Sequence, residues 1–465
     1  MRRCISGIAT RSVVEPSPDL ESQAMKLPAS LACAALCAAL FAAPVGAAGG
    51  GGSGGGGGGS TSGDPDLPGE VLVKLRSSDA LQPLLANYPV TLVSRFGARP
   101  IYRLTTIGAA RVKDVLAAMA LDASVMIAEA NATQCSPEAR KNIAWAIGAP
   151  EAYAAQWAPL SMRLREAQGI STGAGIRVAV LDTGVDRSHP ALAGRLLPGF
   201  DFVDFDNDPS EGGTPADAAW GHGTHVAGLV AMVAPGAQIL PVRVLDASGN
   251  GNAWVLAEAL LYAVDPDGNP ATDDGAQVIN LSLGSLSRTR LMGAIAQLAS
   301  CAPAIADDPV ADRSDPGYAD DEARCANSAG AVVVAAAGND SSDKVKEYPA
   351  AEGAYGLLAV TASGASGRLA GFANFGSWID LAAPGDAITS TMAGGTYATW
   401  SGTSMAAPLA AGTAALLRSA EPALTATDVV KRIKRTAALL CGTALRQVDA
   451  AAALTNPITP ATICR

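Results

Sequence analysis

The sequence predicts an α/β protein in three layers, a mainly parallel sheet flanked by helices, preceded by a small α+β domain. Two observations carry this. From about Ile176, the apolar strands IRVAVLD, QILPVRVL, QVINLSL, AVVVAAAG and LLAVTA alternate with helical patterns such as HVAGLVAMVA, AWVLAEALLYAV and RLMGAIAQLA. Strands that lack a polar face are buried on both sides, as in a parallel sheet between helix layers. Ahead of them, EVLVKL, TLVSRFGA, PIYRLTT and SVMIAEA read as strands, with SDALQPLLANY and RVKDVLAAMAL as helices. Their order, β-α-β-β-α-β, is a split βαβ arrangement.

Composition bounds the rest. The chain has 465 residues, 49 % hydrophobic and 16 % charged, which supports a sizeable core. A formal charge of −10 excludes nucleic acid as the expected partner, since phosphate contacts need clustered Lys and Arg. From Met25, MKLPASLACAALCAALFAAPVGAAGG has a basic start, an apolar run and small residues before a cut. Residues 25–47 therefore read as a secretory signal, too short and Ala-rich for a good membrane span. Residues 1–24 read as a non-native extension, and residues 48–69 as a Gly-rich linker. Export to an extracellular or periplasmic space makes disulfides expected. By proximity, Cys301 pairs with Cys325 and Cys441 with Cys464, leaving Cys135 over.

Polar residues gather where the apolar strands stop, the place where such sheets bind ligands. IRVAVLDTGVD ends a strand at Asp182, and AVVVAAAGND ends another at Asn339. His222 opens a helix in WGHGTHVAGLV, and Ser404 opens another in WSGTSMAAPLAAG. Nucleophilic acyl transfer needs such a set: a hydroxyl, an imidazole to take its proton, a carboxylate to orient the imidazole, and donors for the oxyanion. Asp-Thr-Gly also suits an aspartic protease, but no second such motif appears. His222 and His225, three residues apart, could bind zinc, yet the HExxH glutamate is absent. A catalytically silent binding protein on the same fold is the rival from another class. Spacing alone does not separate the two histidines.

VAVLDTGVD, GHGTHVAG, INLSLGS, AAAGN and GTSMAAP resemble, in order, the catalytic motifs of the subtilisin family of secreted serine proteases. The resemblance implies a subtilisin-like fold over residues 142–440, with residues 441–465 as a disulfide-stapled tail. It implies Asp182 as orienter, His222 as general base, Ser404 as nucleophile and Asn339 as oxyanion donor, with His225 a helix neighbour. Residues 70–134 resemble the family's ferredoxin-like propeptide, implying a self-processing zymogen blocked by its own propeptide. Cleavage is expected beyond SVMIAEAN and before Trp145, and EARKN, after Arg140 or Lys141, would suit an enzyme that prefers Lys or Arg. The implied product is a monomeric endopeptidase acting on proteins or peptides.

The same resemblance places Ser282, Leu283, Gly284, Ala337 and Gly338 along the primary specificity pocket. Gly249, in DASGNG, falls on an edge that pairs with extended peptide. Glu347, in KVKEYPAA, stands where the family often has a small residue at the back of that pocket, so a carboxylate there favours Lys or Arg, against a solvated loop glutamate as the alternative. No cofactor is implied for the reaction. The family's tight calcium site is not expected, because Ala191 replaces its acidic ligand and LVAMVAPGAQ leaves no room for its loop. Two acidic loops, near Asp206 and Asp267, are the candidates for structural calcium, against solvated loops as the alternative.

Overall fold

The computed structural model describes residues 66–301, 315, 318–457 and 462–463. The expected signal and nearly all of the Gly-rich linker lie outside these residues. The chain opens with β1 (Asp66–Leu75), α1 (Leu81–Asn87), β2 (Val90–Arg95), β3 (Ile101–Thr106), α2 (Val112–Met119) and β4 (Val125–Cys135). The order is the expected one, with two differences. β1 begins before Glu70 because Asp66 pairs with Ala132 across a bulge. β4 runs five residues past Ala130 because partners distant in sequence extend it, as described below.

Helix α3 (Pro137–Lys141) and strand β5 (Ala146–Ile147) lead into short helices α4 (Pro150–Ala155), α5 (Trp157–Ser161) and α6 (Leu164–Gln168). Then come β6 (Arg177–Asp182), β7 (Phe200–Asp201), α7 (His222–Val233), β8 (Gln238–Arg243), β9 (Asn250–Asn252), α8 (Ala253–Val264), β10 (Val278–Leu281) and α9 (Arg290–Ala299). The remaining elements are α10 (Tyr318–Asn327), β11 (Val332–Ala336), β12 (Leu357–Ser363), β13 (Leu381–Pro384), β14 (Ile388–Met392), β15 (Thr396–Trp400), α11 (Thr403–Ala420), α12 (Ala426–Thr436), β16 (Ala438–Leu439), β17 (Arg446–Gln447) and α13 (Ala450–Thr455). No helix among the described residues is long and apolar enough to cross a membrane.

The main sheet has nine strands, ordered β16-β17-β13-β12-β11-β10-β6-β8-β7. All its pairings are parallel except β16 with β17. Alternate side chains of β6 enter different cores. Val178 and Val180 pack in the cluster that contains α7 and α11, while Ala179 and Leu181 pack in the one that contains α8 and α9. Both faces are dry, which is why the strands read as unbroken apolar runs. The chain leaves β6 through α7 to β8 on one side, and β10 lies on the other. The carboxyl end of β6 is therefore a topological switch point, where such sheets bind ligands.

The N-terminal unit is buried on both faces of its sheet. Val71, Val73 and Leu75 join Leu84, Val115 and Met119 in a core of its own. Leu72, Phe96 and Ile127 instead join the α8–α9 cluster, with Phe96 edge-on to Trp254 at 5.4 Å. Burying each such side chain contributes about 1.5–3 kcal/mol. The unit also supplies helix caps. Glu129 accepts from Arg290 and Leu291 N–H at the start of α9 (2.9 and 3.1 Å), and Asn131 accepts from Trp254 N–H in α8 (3.1 Å). Both satisfy donors that a helix start leaves unpaired. Lys74 of β1 pairs with Asp315 in the segment between the two cysteines of the Cys301–Cys325 disulfide.

Candidate active site

Asp182 is the last residue of β6, at the switch point. Its Oδ1 accepts from Thr183 N–H at 2.8 Å and lies 2.7 Å from His222 Nδ1. His222 is the first residue of α7, and the glycine after it lets the helix start lie against β6. A Cβ on Gly223 would stand 2.1 Å from the Gly184 carbonyl and 3.0 Å from Asp182 Cβ. The donors at this helix start are satisfied by Thr183 Oγ1, which takes Gly223 N–H at 2.9 Å, and by Glu211. Glu211 Oε2 accepts from the Thr224 N–H and hydroxyl (3.1 and 2.7 Å), while Oε1 accepts from the Thr183 hydroxyl (2.6 Å). Burial pushes the Glu211 carboxyl up to about 7, against the lowering by Thr183 and Thr224, with the Asp182 charge adding to the rise. No sequence signal marks Glu211, which sits in a Gly- and Pro-rich loop without periodicity.

Ser404 is the second residue of α11. Pro408 has no N–H to bond the Ser404 carbonyl four residues earlier, and that carbonyl accepts instead from the Ser282 hydroxyl at 2.8 Å. The proline thus ties the first turn of α11 to the end of β10. Asn339 follows β11 and is oriented by Thr403, whose N–H and hydroxyl both donate to Asn339 Oδ1 (2.9 and 3.0 Å). That fixes which way the amide nitrogen points. Asn339 Nδ2 and the backbone N–H of Ser404 then converge on one position.

That position holds an oxygen of Glu138. Asn339 Nδ2 donates to Glu138 Oε1 at 2.7 Å, and Ser404 N–H donates to it at 3.3 Å. The other oxygen, Oε2, receives the Ser404 hydroxyl at 2.5 Å and lies 3.2 Å from His222 Nε2. One carboxylate from α3 therefore touches nucleophile, base and both oxyanion donors. Gly402 leaves room for it, since a Cβ there would stand 1.7 Å from Oε1. Burial alone raises the Glu138 carboxyl, but bonding and charge from His222, with bonds from Ser404 and Asn339, hold it below its ordinary 4.5. Burial alone lowers His222, but Asp182 and Glu138 together lift it to about 10. Both shifts favour the charged forms, imidazolium and carboxylate. In the sequence, EARKN reads as a cleavage segment, and nothing in it signals this role of Glu138.

The tail of β4 lies between two edges. Thr133, Gln134 and Cys135 pair antiparallel with Asn252, Gly251 and Asn250 of β9. Ser136 N–H continues that edge by donating to Gly249 O at 3.0 Å, and on the other side Cys135 exchanges both backbone bonds with Gly284 (2.8 and 3.0 Å). Leu283 points into the α8–α9 core, and the Ser282 carbonyl oxygen lies 3.1 Å from Ser404 Oγ. Glu347 is fully buried, so it is not a solvated loop glutamate. A Cβ on Gly284 would meet its Cγ at 2.5 Å, and one on Gly338 would meet its Oε2 at 2.7 Å. The Ala337 carbonyl, one residue before, is held by Asn374 Nδ2 at 2.9 Å. Arg140 reaches Glu347 with two parallel bonds, 3.0 and 2.5 Å, and Lys141 pairs with Asp340.

Residues 173–456 match the model of the subtilase family. The chain belongs to the subtilase family. It is 37 % identical over 289 residues to a thermophilic serine proteinase of Bacillus sp. (strain AK1), covering 60 % of this chain and 61 % of that one. It is 36 % identical over 299 residues to thermitase of Thermoactinomyces vulgaris, covering 62 % and 90 %. An extracellular protease of Xanthomonas campestris pv. campestris is 33 % identical over 396 residues, covering 74 % and 61 %. Thus the chain spans about six-tenths of the first and third relatives. Among solved structures, fervidolysin from Fervidobacterium pennivorans matches with a TM-score of 0.64 and 23 % identity, over 85 % of this chain and 62 % of that one. That likeness shows the fold, the subtilisin-like α/β arrangement expected above.

His225 is buried with Nε2 3.1 Å from the Ala398 carbonyl, so the two histidines meet different partners. Burial, with the His222 charge beyond it, pushes His225 down to about 3 and keeps it neutral. Cys301 and Cys325 are bonded, and Cys135 is buried with Sγ 3.5 Å from Asn250 Oδ1. Cys441 is disulfide-bonded, while Cys464 lies outside the described residues. Of the two acidic loops, the one at Asp206 gathers no metal-like set among the described residues, because Asp201 and Asp204 pair with Arg243 at 2.6 Å each. The other brings Asp265, Asp267 and Asp274 within 4.8 Å of one another, an all-oxygen set that suits a hard cation.

Proposed function

We propose that the chain is a secreted serine endopeptidase made as a self-processing zymogen. One observation carries the reading: Ser404 Oγ, His222 Nε2, Asn339 Nδ2 and Ser404 N–H all converge on a single carboxylate-sized space. With a peptide carbonyl in that space, Ser404 Oγ attacks the carbon while its proton passes to His222 Nε2. Asp182 on Nδ1 keeps the tautomer that leaves Nε2 able to accept it, and stabilises the imidazolium that forms. The carbonyl oxygen takes the negative charge between Asn339 and Ser404 N–H, dipoles already in place. His222 returns the proton to the leaving amine, and water resolves the acyl-enzyme by the same steps reversed. No cofactor takes part. Any calcium at Asp265, Asp267 and Asp274 is structural.

Substrate backbone lies between Gly249–Gly251 and Ser282–Gly284, the two edges that pair with the β4 tail. Ala337, Gly338 and Gly284 leave Glu347 as the floor of the primary pocket, which selects Arg or Lys before the scissile bond. Residues 70–134 form the propeptide, cut after Arg140 or Lys141, and the mature enzyme is a monomer. The relatives' printed names, serine proteinase and extracellular protease among them, agree with this reading.

The test is intact mass of the purified protein after fluorophosphonate treatment, beside Ser404→Ala. The expected result is one adduct on the mature wild type, none on the variant, and a variant that stays uncut. A mature protein that forms no adduct moves the silent-fold reading to the front. Loss of activity in a chelator with no adduct on Ser404 favours a zinc hydrolase.

A further inference from the structure

The chain enters the cleft as a strand and stops being one at Ser136. From there S-P-E-A-R-K-N carries every local signal for a single helical turn. Ser136 is the N-cap, accepting from Ala139 N–H, Pro137 follows at the first helical position, and Glu138 lies in the first turn. Arg140 and Lys141 lie in the last turn, and Asn142 ends it in the left-handed region at φ 51°. The turn is locally specified, not forced by the cleft.

Its consequence is that no scissile bond is presented. The carbonyls of Ser136, Glu138 and Ala139 accept from Arg140, Ile143 and Asn142 N–H at 3.1, 2.9 and 3.1 Å. Those oxygens are engaged by the turn itself, while the oxyanion position is filled by the Glu138 side chain. Proteolysis needs an extended backbone with its carbonyl between Asn339 and Ser404 N–H, and here a carboxylate stands in for it. At the same time the Arg140 guanidinium, two residues on, is already seated on Glu347. One turn therefore places two charges in two complementary sites: an anion among four polar groups of the reacting centre, and a cation on a buried carboxylate.

We propose that the cleft is a binding site for a helical Glu-X-Arg turn, and that residues 136–142 occupy it as a non-substrate inhibitor from which Glu138 must withdraw before the chain can be cut. The idea rests on the protease reading above and deepens it. While Glu138 is seated, Ser404 donates to a carboxylate and Nε2 of His222 is engaged, so no base is available and no bond is made or broken. With Arg140 anchored by its side chain, unwinding the turn moves Glu138 out and lets the Arg140 carbonyl take its place. The same ligand chemistry, a carboxylate two residues ahead of a guanidinium, blocks the mature enzyme from outside.

The test compares self-processing of full-length wild type and Glu138→Gln by intact mass over time at neutral pH. Glutamine keeps the shape and removes the charge, and the expected result is processing at least tenfold faster. Equal or slower processing overturns the proposal. A second arm does not depend on how the variant folds: acetylated SPEARKN and its Glu→Gln analogue are assayed as inhibitors of the mature wild-type enzyme. The parent is expected to inhibit at least tenfold more strongly, and equal potency overturns the proposal. Failure of the protease reading looks different, because then wild type neither processes nor takes up fluorophosphonate.

Discussion

His222 stands between two buried carboxylates that act on it in opposite ways. Asp182 lies 2.7 Å from Nδ1 and Glu138 lies 3.2 Å from Nε2. Asp182 belongs to the scaffold: it ends β6, and its neighbour Thr183 is tied to α7 and to Glu211. Glu138 belongs to a five-residue turn of the N-terminal segment. A carboxylate on Nδ1 leaves Nε2 as the acceptor that acyl transfer needs, whereas a carboxylate on Nε2 consumes that acceptor. Two groups of the same charge and burial thus enable and prevent one reaction, and the difference lies in which ring nitrogen each holds.

The largest expected effect comes from breaking the enabling side. Asp182→Asn leaves the shape of the site but permits the wrong tautomer, and self-processing should slow by about 10⁴. Self-processing slowed less than tenfold would mean that Asp182 does not set the tautomer. Next is Asn339→Ala, which removes a donor used by both states. The reaction should lose about 10²–10³, the magnitude known for the corresponding amide of subtilisin itself. Glu138 also loses its 2.7 Å bond, which weakens inhibition by less, since one charge-assisted hydrogen bond is about 1.5–3 kcal/mol. Processing should therefore slow overall. If it quickened, release of Glu138 would outweigh the chemistry.

The scaffold was legible in the sequence and the turn was not, for a physical reason. Helices α8 and α9 are bounded at the residues that their apolar patterns mark, AWVLAEALLYAV and RLMGAIAQLA. The strands of the main sheet are equally plain, because burial on two faces removes every polar residue. The positions of Asp182, His222, Asn339 and Ser404 follow, since each sits where an apolar run begins or ends. Glu138 gives no such signal. Its neighbours announce a helical turn, but where that turn docks depends on β4 pairing with Gly284 and with β9, contacts more than a hundred residues away in the chain. Those same contacts lengthen β4 past the point where its own alternation fades. Glu211 and the burial of Glu347 are likewise set by tertiary neighbours alone.

A smaller effect separates the two anchors of the turn. Glu347→Gln removes the charge beneath Arg140 but leaves the Glu138 contacts in place. On the mature enzyme the ratio of kcat/KM for Arg over Leu before the scissile bond should fall about 10- to 100-fold, a loss of about 1.4–2.8 kcal/mol. An unchanged ratio would remove Glu347 from the specificity pocket.

The pH dependence of stability tests both sides of His222 together, in the uncut Ser404→Ala protein. His222 is raised from 6.5 to about 10, so its contribution is complete below 6.5 and is lost as pH rises through about 10. Glu211 is raised from 4.5 to about 7, so its contribution is complete below 4.5 and is lost as pH rises through about 7. Glu138 is lowered from 4.5, so its contribution is complete above 4.5 and is lost as pH falls through its lowered value. The Tm should therefore fall in two steps as pH rises, one ending near 7 and the other near 10, each a few degrees at about 2–4 °C per kcal/mol. Adding Glu138→Gln should make the second step shallower and leave the first. An identical second step would mean that Asp182 alone holds the proton on His222.

The smallest effect concerns carboxylates that repel one another with no imidazolium between them. Burial, and beyond it the Asp274 charge, raises Asp265 to about 6, and Asp265 Oδ1 is buried without a hydrogen-bond partner among the described residues. A divalent cation would relieve that repulsion as the His222 charge does for Asp182 and Glu138. Calcium at ten times its dissociation constant should stabilise the protein by about 1.4 kcal/mol, and a chelator should reverse the gain. Asp267→Asn should lose that response while leaving processing unchanged, because the loop lies away from α3 and the cleft. A Tm indifferent to both calcium and chelator would make this a solvated acidic loop, and the protein's gathered carboxylates would then matter only where they share a histidine.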